Sequence, residues 1–222
     1  MRAGYPWEES TPELFELLYS GFRPSTLVDV PLVRDPGTDF EYSNLTSHIL
    51  GTIVARACET DLRSFAQEHL FTPLAVEPGF WQQDWEGYYL GYSDLELSAH
   101  DMAKFGLTVL NDGEFHGYQI ISADWVNDSL QTYSKDAFDY SVGRNFKDIG
   151  YGYQWWSVTA GEHRYNLAWG HGGQLIAVLD EYDMVIVVKA DPLNELPPVE
   201  GWKYEITVID LVGEFITSLP TE

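Results

Sequence analysis

The final third of the chain constrains the fold most. From Tyr151 onward, four short runs rich in β-branched and aromatic residues follow one another: Tyr151–Val158, Arg164–Trp169, Gln174–Leu179 and Met184–Lys189. Turn formers separate them at Thr159–Glu162, Gly170–Gly173 and Asp180–Asp183. Strand runs punctuated in this way predict an antiparallel meander. Tyr204–Leu219 then closes the chain as an amphipathic helix, with Ile206, Ile209, Val212, Ile216 and Leu219 on one face. Met184–Lys189 is apolar at nearly every position, which suits an interior strand with a neighbour on each side. Nothing after it supplies the second neighbour, so the predicted sheet is short of a strand.

The first 150 residues read as helices and loops. About 40 irregular residues come first, with one short helix opened by Thr11 as cap and Pro12 at the first helical position. Asn44 is predicted to cap a helix whose apolar positions Leu45, Ile49, Ile53, Val54 and Ala57 recur at helical spacing. A second helix runs from Asp61, with Leu62, Phe65, Ala66 and Leu70 inward, until Pro73 stops it. Ser98-x-x-Asp101 forms a capping box before Met102, Phe105, Val109 and Leu110, and Ser122 opens a further helix around Trp125, Val126 and Leu130. The expected class is α+β in one partial domain, 1–222: a helical, loop-rich lobe over about 1–150, then a sheet with its terminal helix over about 151–222.

Charge narrows the partners. Thirty-five acidic residues against twelve basic ones leave a net −23, with no basic patch. Such a chain repels phosphate backbones, which excludes nucleic-acid binding through counterion release and makes an anionic membrane unattractive. The acidic excess reads as a solvated, self-repelling surface, with a site for cationic ligands as the minority alternative. At 45% hydrophobic residues the chain buries a core, and its longest apolar stretches, five residues, do not span a bilayer. Cys58 stands alone within an apolar helical pattern and is expected to be a buried, inert thiol. Met1 precedes no apolar signal region, so either the chain is cytoplasmic or its true beginning lies elsewhere.

Two segments carry candidate chemistry. Pro36–Asn44 is a turn leading into a helix start, which sets Tyr42 and Asn44 near the positive end of a helix dipole. Trp169–Gln174 runs from the end of one strand to the start of the next, with His171 beside two glycines that permit close backbone approach. Each also has a plain structural reading, a tyrosine packed over a cap and a histidine in a turn.

With three further runs, these segments resemble the serine β-lactamase and penicillin-binding-protein superfamily, in particular its class C-like esterase and peptidase branch. The further runs are Leu97–Gly106, Ile120–Val126 and Tyr151–Trp156, and the five stand in the expected order along nearly the whole chain. The family combines a Ser-x-x-Lys nucleophile helix, a Tyr-x-Asn or Ser-x-Asn loop, and a Lys/His-Thr/Gly-Gly strand. The resemblance implies that Tyr42 shuttles the nucleophile's proton, while Asn44 holds the lysine and the substrate amide. It also implies that His171, Gly172 and Gly173 form the third element, with the Gln174 N–H as one oxyanion donor. A free phenol titrates at about 10, so Tyr42 needs cationic charge nearby to act as a base near neutrality.

The first element has no match. None of the five lysines has a serine three residues before it, and Thr132-x-x-Lys135 comes in the wrong order. Met1-Arg2-Ala3-Gly4 looks like a family segment that lies after the nucleophile helix, so the chain is expected to be N-terminally truncated and impaired in acyl transfer. The bare strand edge then favours self-association. The implied activity is ester or amide hydrolysis, with β-lactams or D-amino peptides in range, on a small-molecule substrate and without a cofactor. The rival is a non-catalytic binding module for sugars or peptidoglycan-like polymers, lined by Trp81, Trp85, Tyr88 and Tyr89. Six scattered histidines show no ligand spacing, which argues against a metal centre.

Overall fold

Ser43, rather than Asn44, opens the first long helix. Its backbone is extended (φ −155°, ψ 113°) and its Oγ accepts from the Thr46 amide at 3.2 Å, so Asn44 becomes the first helical residue. The correction has a simple cause: adjacent Ser and Asn are both good caps, and backbone direction chooses between them. This computed structural model describes residues 1–7, 12, 14–16, 23–135, 137–138, 141–191 and 197–221. Pro12 and residues 14–16 are helical, whereas the predicted cap Thr11 lies outside the described residues.

The chain divides into two compact units, Met1–Ser98 and Ala99–Glu222. In the first, α1 (Asn44–Ala57) buries Asn44, Leu45, His48, Gly51, Thr52 and Ala55, while Ile53 is 54% exposed. The expected stripe therefore holds at Leu45 and at Ile49, which packs against the cluster of Leu14, Val30 and Leu45, and fails at Ile53. The helix turns its small face to an arm spanning residues 79–96. A Cβ on Gly91 would lie 2.5 Å from the Ser47 carbonyl oxygen, and Gly51 admits the arm backbone at Gly91. Small residues permit that approach and isoleucines do not. Cys58 ends the helix exposed, which corrects the expected buried thiol. Asp61 then caps α2 (Leu62–Ala66) through Ser64, and the chain continues through a π-helical turn, Gln67–Phe71. The arm is an irregular antiparallel pair bridged at Trp81–Leu95 and Gln83–Tyr89.

The second unit begins with α3 (Ala99–Leu110), a small unpredicted hairpin of β1 (Glu114–Phe115) and β2 (Tyr118–Gln119), and α4 (Ala123–Leu130), capped by Ser122. Five antiparallel strands follow: β3 (Lys147–Tyr151), β4 (Trp156–Ala160), β5 (His163–Gly170), β6 (Gln174–Leu179) and β7 (Met184–Lys189). Their spatial order is their chain order, the predicted meander. The run Tyr151–Val158 is not one strand, because Gly152 donates to the Trp155 carbonyl and Gln154 takes φ 65°. α5 (Pro198–Thr217) begins six residues earlier than expected.

Strand alternation sorts the sheet's two faces. Ala168, Ile176, Val178, Val185 and Val187 pack against α3 and α4 through Phe105, Val109 and Val126. Trp169, one residue along from Ala168, faces the other way and stacks on Trp202 of α5, with ring centres 6.2 Å apart. Gly106 brings α3 close to the sheet, where a Cβ would meet Val185 Cγ1 at 2.6 Å. β7 lies at the sheet edge, paired with β6 alone among the described residues. Its apolar sequence answers to α3 on one face, and among the described residues no second strand lies beside it, as the sequence reading expected.

Candidate active site

Tyr42 and Asn44 belong to the first unit, His171–Gln174 to the second. Around the first pair, the segment Met1–Gly4 docks beside residues 33–41. Val33 donates to the Gly4 carbonyl at 2.9 Å, Gly37 to Arg2 at 2.7 Å and Glu41 to Met1 at 3.0 Å. Gly4 has φ 90°, and any Cβ there would stand 2.4 Å from the Arg34 carbonyl oxygen, so only glycine fits. The Arg34–Glu41 ion pair at 2.8 Å ties the same loop. Tyr42 emerges from it half-buried, directly before the buried cap Ser43 and Asn44, itself 7% exposed.

One turn further along α1, His48 is fully buried. Its Nδ1 accepts from the Gly91 amide at 3.3 Å, so Nε2 carries the ring proton and donates to Asp84 Oδ2 at 2.9 Å. The other carboxylate oxygen, Asp84 Oδ1, accepts from the Glu86 and Tyr88 amides at 2.8 and 2.9 Å. This pairing fixes the arm to the helix that carries Asn44. The sequence held one signal for it, since Asp84-x-x-Gly87 is an Asx-turn pattern and Gly87 has φ 86°.

In the second unit, His171-Gly172-Gly173 forms the connection between β5 and β6 rather than lying on a strand, and Gln174 is the first residue of β6. Gly172 and Gly173 have φ 76° and 87°, a conformation that L side chains rarely adopt. Gln174 pairs with Gly170 and with Lys189, and its side-chain amide donates to the Ala190 carbonyl at 2.6 Å. The His171 side chain is 82% exposed, with Nδ1 at 3.2 Å from Glu205 Oε2. Glu205 itself is 2% exposed and also receives the Trp169 indole N–H and the Gly172 amide, each at 2.7 Å. Sequence reading missed this residue. It occupies a position of the buried stripe of α5, one turn before Ile209, where the hydrophobic pattern skips a beat.

The other landmark runs serve packing. Tyr151, Trp155 and Trp156 are buried in the core. Of the four aromatics considered for a binding face, Trp81, Tyr88 and Tyr89 are partly buried, while Trp85 is 70% exposed. Among the described residues no three His, Cys, Asp or Glu side chains gather in a metal-binding group.

The chain is similar to several known proteins. The beta-lactamase family model matches residues 1–212. The chain is 27% identical over 157 residues to the 6-aminohexanoate-dimer hydrolase of Paenarthrobacter ureafaciens, a stretch amounting to 69% of this chain and 40% of that protein. The octameric penicillin-binding protein homologue from Pyrococcus abyssi superposes with a TM-score of 0.66 at 17% identity, over 96% of this chain and 54% of that one. The penicillin-binding protein from Bacillus halodurans gives 0.64 at 15% identity, over 95% of this chain and 71% of that one. The chain thus spans about half, or less, of the first two relatives' length.

Proposed function

The chain belongs to the beta-lactamase family, and from that premise we propose that it carries part of the machinery of a serine-type acyl-transfer hydrolase acting on esters or amides. In this reading Tyr42 moves the proton between nucleophile and leaving group, and Asn44 orients the lysine and the substrate amide. His171, Gly172 and Gly173 border the acyl site, with the Gln174 amide as an oxyanion donor. The nucleophile and its lysine come from a Ser-x-x-Lys pair outside these 222 residues, in a longer protein. Alone, the chain is impaired in acyl transfer, because no covalent intermediate can form without that serine.

The observation that carries this reading is the setting of Tyr42-Ser43-Asn44. A phenol stands half-buried at the N-terminus of a 14-residue helix, in a loop held by a serine cap and by paired backbone on its other side. The partial positive charge of that terminus favours an anionic intermediate or a phenolate. The relative named for hydrolysing 6-aminohexanoate dimer supports a hydrolase. His171 in place of a lysine removes a fixed positive charge, which favours esters and amides over substrates anchored by a carboxylate; β-lactams and D-amino peptides stay within range.

The test is hydrolysis of a short-chain p-nitrophenyl ester and a chromogenic cephalosporin, with a serine-directed phosphonate label read by intact mass. The 222-residue chain is run beside a form extended upstream in frame. Turnover and a single label confined to the extended form support the reading, and their loss in Tyr42→Phe supports the tyrosine's role. Labelling of the short form refutes the external nucleophile. Inertness of both forms favours the rival, a non-catalytic module for sugars or peptidoglycan-like polymers, for which the exposed Trp85 is the first side chain to replace.

A further inference from the structure

Glu205 presents an unusual conjunction. It lies on the buried face of α5 with Ile209, Val212 and Ile216, where an ionised carboxylate is costly unless its oxygens are satisfied. Its polar partners among the described residues come from one short stretch at the β5–β6 connection. Oε1 accepts from Trp169 Nε1 at 2.7 Å, Oε2 accepts from the Gly172 amide at 2.7 Å, and His171 Nδ1 stands 3.2 Å from Oε2. The glycines permit this closeness, since a Cβ on Gly173 would meet Val208 Cγ1 of α5 at 3.1 Å. The chemistry also calls for a carboxylate. A glutamine offers one acceptor atom and would turn its NH2 toward a donor.

We propose that Glu205 is the positioning residue of the His171–Gly173 turn, and that it makes this turn recognise a neutral acyl group rather than a carboxylate anion. The proposal rests on the reading of the turn as one border of the acyl site. Three consequences follow from the geometry. The Gly172 amide is committed to Glu205, so it is not an oxyanion donor, and that role falls to an amide further along the turn. The proposal places the ring proton on Nδ1, which faces the carboxylate at 3.2 Å, and leaves the exposed Nε2 as a hydrogen-bond acceptor. When the ring is protonated, the buried carboxylate offsets its charge, so the turn offers no net positive charge to an anion.

The experiment is 15N NMR of histidine-labelled 222-residue chain, with amide exchange measured at Gly172. The expected wild-type spectrum shows His171 protonated at Nδ1, and Glu205→Gln returns it toward the Nε2–H form usual for free histidine. Gly172 exchange should accelerate on the order of tenfold or more as its charge-assisted bond is lost. Ile209→Val, one turn along the same stripe, loosens packing without touching the turn and should leave the tautomer unchanged. A wild-type His171 in the Nε2–H form overturns the proposal, even where no variant folds. So does a Glu205→Gln spectrum identical to wild type, or an equal shift in Ile209→Val. Titration with methyl butyrate and with butyrate separates the two readings. Larger shifts at His171 and Gln174 with the ester support neutral recognition, and larger shifts with the anion overturn it. Shifts with neither count against the acyl-site reading, while the tautomer result decides the positioning role independently.

Discussion

At the scale of single residues, the informative positions are polar atoms that burial has put under constraint. Tyr165 lies on β5 at 3% exposure, its hydroxyl has no hydrogen-bond partner among the described residues, and burial pushes its phenol well above the usual range. Tyr165→Phe removes an unsatisfied group and little else, so it should leave stability unchanged or raise it by about 1 kcal/mol, as read by urea unfolding. Asp61 is the opposite case. Its carboxylate accepts from the Ser64 amide and hydroxyl, which hold its pKa below the ordinary value of 3.8. Asp61→Ala should cost about 1 kcal/mol at pH 7. Because the folded pKa is the lower one, the stabilisation is complete above 3.8 and fades as the pH falls through the depressed value. The gap between wild type and variant in urea melts should therefore narrow in acid.

At the scale of elements, contacts between helix, arm and sheet depend on glycines and on one buried carboxylate. Gly106 sits where α3 crosses the sheet, and an added methyl would meet Val185 Cγ1 at 2.6 Å and Ile176 Cγ2 at 2.8 Å. Alanine is the better helix former by about 1 kcal/mol, yet overpacking costs about 1–3 kcal/mol, so Gly106→Ala should lower the urea midpoint. Asp84 gathers three donors in the 79–96 arm with its side chain 2% exposed. Asp84→Ala strands the His48 ring proton and two amides, and should cost about 3 kcal/mol. Exchange at Glu86, Tyr88 and Gly91 should rise before that of the β5–β6 ladder, which separates loosening of the arm from global unfolding.

At the scale of the whole molecule, charge and a bare edge oppose each other. The net −23 keeps copies apart, whereas β7 presents an apolar edge without a second strand among the described residues. Salt screens the first and leaves the second untouched. Sedimentation velocity should therefore show association that grows with protein concentration and with added NaCl, and Ile186→Lys on β7 should suppress it. Association that declines with salt would point to ion pairing instead of the strand edge.

How much of this was legible before folding follows from the range of the interactions involved. The meander, its closing helix and the family landmarks are written in local periodicity and turn residues, and residues 151–219 could be read almost strand by strand. The Tyr42 and His171 segments stand out in the sequence for the same reason, as short motifs beside helix and strand ends. Periodicity failed where tertiary contact overrode it. α1 kept Leu45 and Ile49 against the core but left Ile53 and Cys58 outside, because Gly51 and Gly91 admit backbone where isoleucine cannot. Ser43 took the cap from its neighbour. Glu205 and His48 left only faint local signals because a buried polar residue is justified by its partners, and those lie 33 to 43 residues away in the chain. The sequence by itself determined which elements form and which family they compose, since backbone propensity and hydrophobic spacing act over a few residues. Only the tertiary structure decided which face each helix buries and which carboxylate holds the His171 turn, because desolvation and hydrogen-bond satisfaction are settled between distant segments.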